Sequence, residues 1–99
     1  MIKKFENKKV KLYNKVGIES GNDEYTFLVK KEKHNEIVIF INNESGYIDV
    51  LLKGVDKNGF NKTIYHAKNG YHRFKLDVGF TYKVVFVFKA FEGEYGVYL

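Results

Sequence analysis

The chain has 99 residues, no cysteine, no proline and a formal charge of +5. That length suits one domain, expected over residues 1–99, and the missing thiols exclude a disulfide framework or a thiolate metal site. Eight Tyr and nine Phe, with no Trp, are too much apolar material for a disordered chain and favour strands.

The charge is uneven. Residues 1–15 carry six lysines against Glu6 alone, which gives +5, and the remaining eleven cations balance eleven anions. A basic N-terminal segment, flexible over residues 1–7, is therefore expected on an electrically balanced body. Sixteen of the seventeen cations are Lys, leaving Arg73 as the one planar fork suited to phosphate or guanine edges. The start "MIKKFENKK" lacks the apolar run of a signal peptide. No stretch approaches the roughly 20 apolar residues of a membrane span. The expectation is a cytoplasmic protein that does not engage membranes.

Period-two alternation recurs along the chain, and a helical period nowhere. The first candidate strand, "KKVKLYN" (8–14), sets Val10 and Leu12 against Lys9, Lys11 and Tyr13. In "EYTFLVKK" (24–31) Tyr25, Phe27 and Val29 share a face. "EIVIFIN" (36–42) is apolar on both faces, as a strand covered on both sides would be. "YIDVLLK" (47–53) opposes Ile48, Val50 and Leu52 to Tyr47, Asp49, Leu51 and Lys53. "KTIYHA" (62–67) and "YHRFKL" (71–76) follow, then "TYKVVFVFKA" (81–90), with Tyr82, Val84, Phe86 and Phe88 together, and "EYGVYL" (94–99).

Turn chemistry separates these runs, in "NNESG" (42–46), "DKNG" (56–59), "KNG" (68–70), "DVG" (77–79) and "EGE" (92–94). About eight short strands at such spacing predict an all-β antiparallel sandwich. The last third, with its cadence G-Y-x-x-F-x-L…G-x-x-Y-x-V-x-F…G-x-Y-x-V, resembles the end of many jelly-roll and immunoglobulin-like modules. The expected core is Val10, Leu12, Tyr25, Phe27, Val29, Ile37, Ile39, Ile41, Ile48, Val50, Leu52, Tyr65, Phe74, Leu76, Tyr82, Val84, Phe86, Phe88 and Val97.

The stretch "YHAKNGYHRFK" (65–75) concentrates polar and aromatic chemistry around one Asn-Gly pair. Asn-Gly favours a type I′ turn, which predicts a hairpin pairing Ala67 with His72, His66 with Arg73 and Tyr65 with Phe74. Tyr65, Ala67, His72 and Phe74 then face the core, while His66, Lys68, Tyr71, Arg73 and Lys75 face solvent. His66 and His72 point apart in that register, and His34 lies in a polar loop. Zinc needs three or four convergent ligands, so no metal site is expected. The two serines, Ser20 and Ser45, lie in turn sequences away from any recognisable base. No Gly-rich phosphate loop precedes a helix, and no enzyme activity or cofactor is expected.

What remains is binding. The expected role is protein–protein docking by a small non-enzymatic module, of a kind that suits a phage- or plasmid-encoded inhibitor or an accessory subunit of a larger complex. Leu28, Leu51, Val85 and Val87 recur opposite the expected core, so either a second layer covers them or they form an apolar patch that marks an interface. The candidate surface comprises Tyr13, Tyr47, Leu51, His66, Lys68, Tyr71, Arg73 and Lys75, and a sheet face or edge could also pair with a second copy. Two alternatives use the same residues. Surface tyrosines could stack on sugars, and the Lys-rich N-terminus with the 68–75 basic patch could grip nucleic acid.

Overall fold

The computed structural model describes residues 11–30 and 36–98, with side chains from Ser20 onward. Five antiparallel strands form one sheet: β1 (Lys11–Leu28), β2 (Glu36–Gly54), β3 (Asn61–Ile64), β4 (Gly70–Lys75) and β5 (Thr81–Tyr98). The order is β1-β5-β2-β3, with β4 also paired to β2. Two expectations, the basic segment 1–7 and core residue Val10, lie outside the described residues, as does the loop histidine His34; Leu12 and Tyr13 are described in backbone only. No helix among the described residues is long and apolar enough to cross a membrane.

The three long strands each serve twice. The first half of β5 lies between Gly21–Leu28 of β1 and Tyr47–Gly54 of β2. Its second half lies between Lys11–Glu19 of β1 and Val38–Asn43 of β2. β3 extends the first of these half-sheets, beside Val50–Lys53, and β4 the second, beside Glu36–Ile41.

Phe86 and Tyr95 sit nine residues apart on β5, which would separate them by roughly 30 Å along a straight strand. Their ring centroids are 4.6 Å apart. The sheet is therefore doubled over, and its two halves face each other across the core. Buried between them are Ile37, Ile39 and Ile41 from one half, Ile48, Val50, Leu52, Val84 and Phe86 from the other, and the aromatic group Phe88, Phe91 and Tyr95 at the fold line.

Backbone irregularities mark that line. Ladder registers shift between Glu19 and Gly21 and on both sides of Ser45, and Ala90 takes a left-handed φ of 48°. Gly46 has φ 71°, and a β-carbon there would overlap the carbonyl oxygen of Ala90; one on Gly93 would overlap that of Asn42. Only glycine lets β2 and β5 approach so closely at the bend. Both serines work here. Ser20 Oγ accepts the Ala90 N–H at 2.8 Å, and Ser45 Oγ donates to Glu92 Oε1 at 3.3 Å.

The all-β antiparallel expectation holds, with five strands in one sheet where about eight separate strands were expected. Stretches with turn composition, "ESGND", "NNESG" and "EGE", lie at bulges inside continuous strands. The ladder resumes on the far side of each bulge, so a strand expected to stop bends instead.

The Asn69-Gly70 hairpin is also corrected. β3 and β4 pair with opposite ends of β2, not with each other. A type I′ turn needs positive φ at both central residues. Gly70 has it, at 125°, and Asn69 does not. Residues 65–69 instead cross from one half-sheet to the other along the bend of β2. Asn69 Oδ1 accepts the Asn43 N–H at 2.7 Å, its Nδ2 donates to the Asn43 carbonyl at 3.3 Å, and Ala67 N–H donates to the Ile48 carbonyl at 2.8 Å. Ala67 is thereby buried, while Tyr65 swings out to 75% exposure, against expectation. Tyr25 is likewise 37% exposed rather than core, Phe74 is only partly buried, and Val38, Phe91 and Tyr95 join the buried set.

The end opposite the bend is closed by side chains. Buried Tyr82, near the start of β5, accepts the Asp77 N–H at 2.9 Å through its hydroxyl, the arrangement of a tyrosine corner. Asp56 Oδ1 accepts the Thr81 N–H at 2.7 Å, and Lys57 pairs with Asp77 at 2.7 Å while lying 4.9 Å over the Phe80 ring.

Candidate functional site

Doubling the sheet leaves two outer faces, and each follows from alternation. On β2, Ile48, Val50 and Leu52 turn inward, so Tyr47, Asp49, Leu51 and Lys53 turn outward. Their cross-strand partners on β5, Lys89, Val87, Val85 and Lys83, share that face. Tyr47 and Val87 are each 40% exposed, while Leu51 and Val85, paired with each other next along the face, are half-buried. Lys53 and Lys89 are exposed, and Lys83 Nζ lies 3.4 Å from Glu24 Oε1. Leu28, 48% exposed, ends β1 on the same face beside Thr81. The result is an apolar strip with a lysine rim.

His66 caps one end of this strip. Its main-chain N–H donates to Asp49 Oδ1 at 2.7 Å, and its ring stacks on Tyr47 with centroids 4.1 Å apart. That contact needs a left-handed backbone at His66, with φ 50°. Histidine tolerates this region better than β-branched residues do. The Asp49 carboxylate holds the turn in place.

The opposite outer face belongs to the half-sheet with β4. Here Phe40 pairs with Tyr71, with ring centroids 5.1 Å apart, and Val38 pairs with both Arg73 and Tyr98. The aromatic rings shield Val38 so well that it is wholly buried. Burial pushes the Tyr71 hydroxyl above its ordinary pKa, with Tyr98 adding to the effect. Tyr98 is raised by burial and then by the Glu94 carboxylate. Arg73 Nη1 lies 3.4 Å from Glu36 Oε1, and Lys75 is exposed across from Glu36.

The expected surface is thus divided. Tyr47, Leu51 and His66 gather on one face, and Tyr71, Arg73 and Lys75 on the other. Lys68 lies in the crossover, exposed, with its carbonyl 2.7 Å from His72 Nε2, which must carry the proton and donate. Tyr13 pairs with Val97 through its backbone. The two described histidines have separate partners, and among the described residues no group of three or more His, Cys, Asp or Glu could hold a metal. Sequence reasoning placed Val85 and Val87 opposite the core but left them and their rim lysines, Lys53, Lys83 and Lys89, out of the candidate surface. Alternation carries that signal once the pairing of β2 with β5 is known.

Neither family models nor the sequences of curated proteins match this chain.

Proposed function

We propose that this chain is a non-catalytic module that docks onto another protein through the outer face bearing Tyr47, Leu51, Val85 and Val87, as an inhibitor or accessory subunit of a larger assembly. The observation that carries this is the strip itself. Apolar side chains from two neighbouring strands stay partly exposed side by side, where a solvated sheet face would alternate to polar residues. Tyr47, braced by His66, supplies a rigid aromatic anchor of the kind that dominates interfaces. The rim lysines favour an apolar partner surface edged with carboxylates.

Other groups support the same role. Ser20 and Ser45 are engaged at the bend, and His72 holds the crossover through the Lys68 carbonyl, so side chains suited to chemistry serve the fold. Tyr47 and Tyr71 lie on opposite faces and so cannot form one sugar platform. The basic patch is likewise divided, with Arg73 held beside Glu36. The architecture is, on the Tyr82 corner and the facing halves, a two-layer sandwich whose layers share strands.

A photo-crosslinking residue in place of Val87 is expected to capture one heterologous protein in the source cell. Tyr47→Ala should abolish capture and Tyr71→Ala leave it intact. Equal capture from position 71, or none from 87, would overturn the assignment.

A further inference from the structure

We infer that Asn58-Gly59 is a site of self-modification in the folded protein, losing the asparagine amide to water, while the fold protects its twin, Asn69-Gly70. The sequence holds these two Asn-Gly pairs, each preceded by lysine. Both have the same intrinsic chemistry. The Gly59 main-chain nitrogen gives up its proton and attacks Asn58 Cγ. A new N–C bond closes a cyclic imide, the Cγ–Nδ2 bond breaks, and the side-chain nitrogen leaves as ammonia with that proton. Water then opens the imide at either carbonyl, which leaves aspartate or isoaspartate at position 58. Glycine favours the reaction because it puts no side chain in the path of attack and lets the backbone bend toward it.

Local sequence does not distinguish the pairs, and neither does exposure, since Asn58 and Asn69 both face solvent. Their amides differ. Asn69 is gripped at both side-chain atoms: Oδ1 accepts the Asn43 N–H at 2.7 Å, and Nδ2 donates to the Asn43 carbonyl at 3.3 Å. Its neighbour Gly70 opens β4 in register with Ile41, so the peptide that must attack is anchored beside β2. Swinging the Asn69 amide onto the Gly70 nitrogen requires breaking both bonds and loosening the crossover. Asn58 lies in the loop between β2 and β3, which is pinned at its base by the Gly54 N–H donating to the Phe60 carbonyl at 3.0 Å. Among the described residues, no hydrogen bond holds its amide. Gly59 has φ 83°, with no heavy atom within 4 Å of where a β-carbon would stand, so the imide and the water that opens it have room.

The consequences differ as well. At position 58 the new carboxylate stands beside Lys57, whose Nζ pairs with Asp77 at 2.7 Å, and the formal charge of +5 falls by one. The change is confined to an exposed loop at the end of the fold opposite the bend. At position 69 a carboxylate still accepts the Asn43 N–H but has no proton for the Asn43 carbonyl, so two oxygens are opposed. A chain unfolded long enough to react there refolds with a weaker crossover, whereas modification at position 58 accumulates in the native state.

The full chain is incubated folded at mildly alkaline pH and, in parallel, in urea above its unfolding midpoint, then digested with trypsin and read by mass spectrometry. Cleavage after lysine and arginine releases residues 58–62 and 69–73 as separate peptides, and fragmentation separates Asn58 from Asn61. In the folded chain, the amide-to-acid mass gain at Asn58 should outpace that at Asn69 by about tenfold or more, the factor that two retained hydrogen bonds imply. In urea the two rates should converge. There, where stability plays no part, Gly59→Ala should slow the reaction at position 58 and leave position 69 unchanged. Equal rates in the folded chain, an Asn58 that stays intact there, or a gap that persists in urea would each overturn the proposal.

Discussion

Substituting Gly46 by alanine tests whether the bend is built on a close approach of β2 and β5. Two costs add. A β-carbon at φ 71° carries the left-handed penalty of about 1–2 kcal/mol. The same carbon would lie 2.5 Å from the Lys89 carbonyl oxygen and from the Ala90 carbonyl carbon. Ordinary contact is about 3.5–4.0 Å, so the two strands must part by about 1 Å where they cross. Overpacking of that order costs about 1–3 kcal/mol, for a total of about 2–5. A domain of this size has about 5–15 kcal/mol in all. With a urea slope of about 2 kcal/mol/M, the midpoint should fall by about 1–2.5 M. Gly59→Ala is the control, because it shares the left-handed backbone, at φ 83°, but has no atom within 4 Å of the new carbon. It should lose only the conformational part, about 1–2 kcal/mol. Equal midpoints for the two variants in urea unfolding followed by circular dichroism would refute the close-approach account of the bend.

Asn69→Ala removes two hydrogen bonds to the Asn43 main chain, at about 1 kcal/mol each, and should speed hydrogen exchange at the Asn43 amide most. His66→Gly should be less destabilising than His66→Ala by about 1 kcal/mol, since both lose the Tyr47 stack but only glycine relieves the left-handed backbone; the difference between their urea midpoints reads this directly. Tyr71 and Tyr98 have raised pKa values, chiefly through burial, so the folded state holds these phenol protons more tightly than the unfolded chain does. Their contribution is complete below the unfolded value of about 10 and is lost as pH rises through the higher folded values. Stability should therefore fall above that pH, and the double variant Tyr71→Phe, Tyr98→Phe should flatten the decline.

Side-chain direction along each strand was legible in the sequence. Ile37, Ile39 and Ile41, then Ile48, Val50 and Leu52, then Tyr82, Val84, Phe86 and Phe88 are all buried as alternation requires. A pleated strand turns successive residues to opposite faces whatever its neighbours are, so one segment suffices to define its inward set. The same logic set Leu51, Val85 and Val87 outward. For the candidate site, it identified Tyr47, Leu51 and His66 as surface residues without showing that His66 would come to rest on Tyr47.

Pairing was not legible, because it depends on contacts remote along the chain. "KNG" at 68–70 has the chemistry of a hairpin turn, yet β3 and β4 gain more by extending opposite ends of β2, and Asn69 uses its side chain on Asn43 instead of a positive φ. That choice exposes Tyr65, buries Ala67 and separates Tyr47 from Tyr71. Gly46 and Gly93 mark turns when read locally. In the fold they let a continuous strand bend against its neighbour. The sequence by itself determined which residues avoid water, because that preference is local to each strand. Tertiary structure decided which strands meet and so which surface residues act together, because hydrogen-bonded ladders form between segments whose separation along the chain no local pattern records.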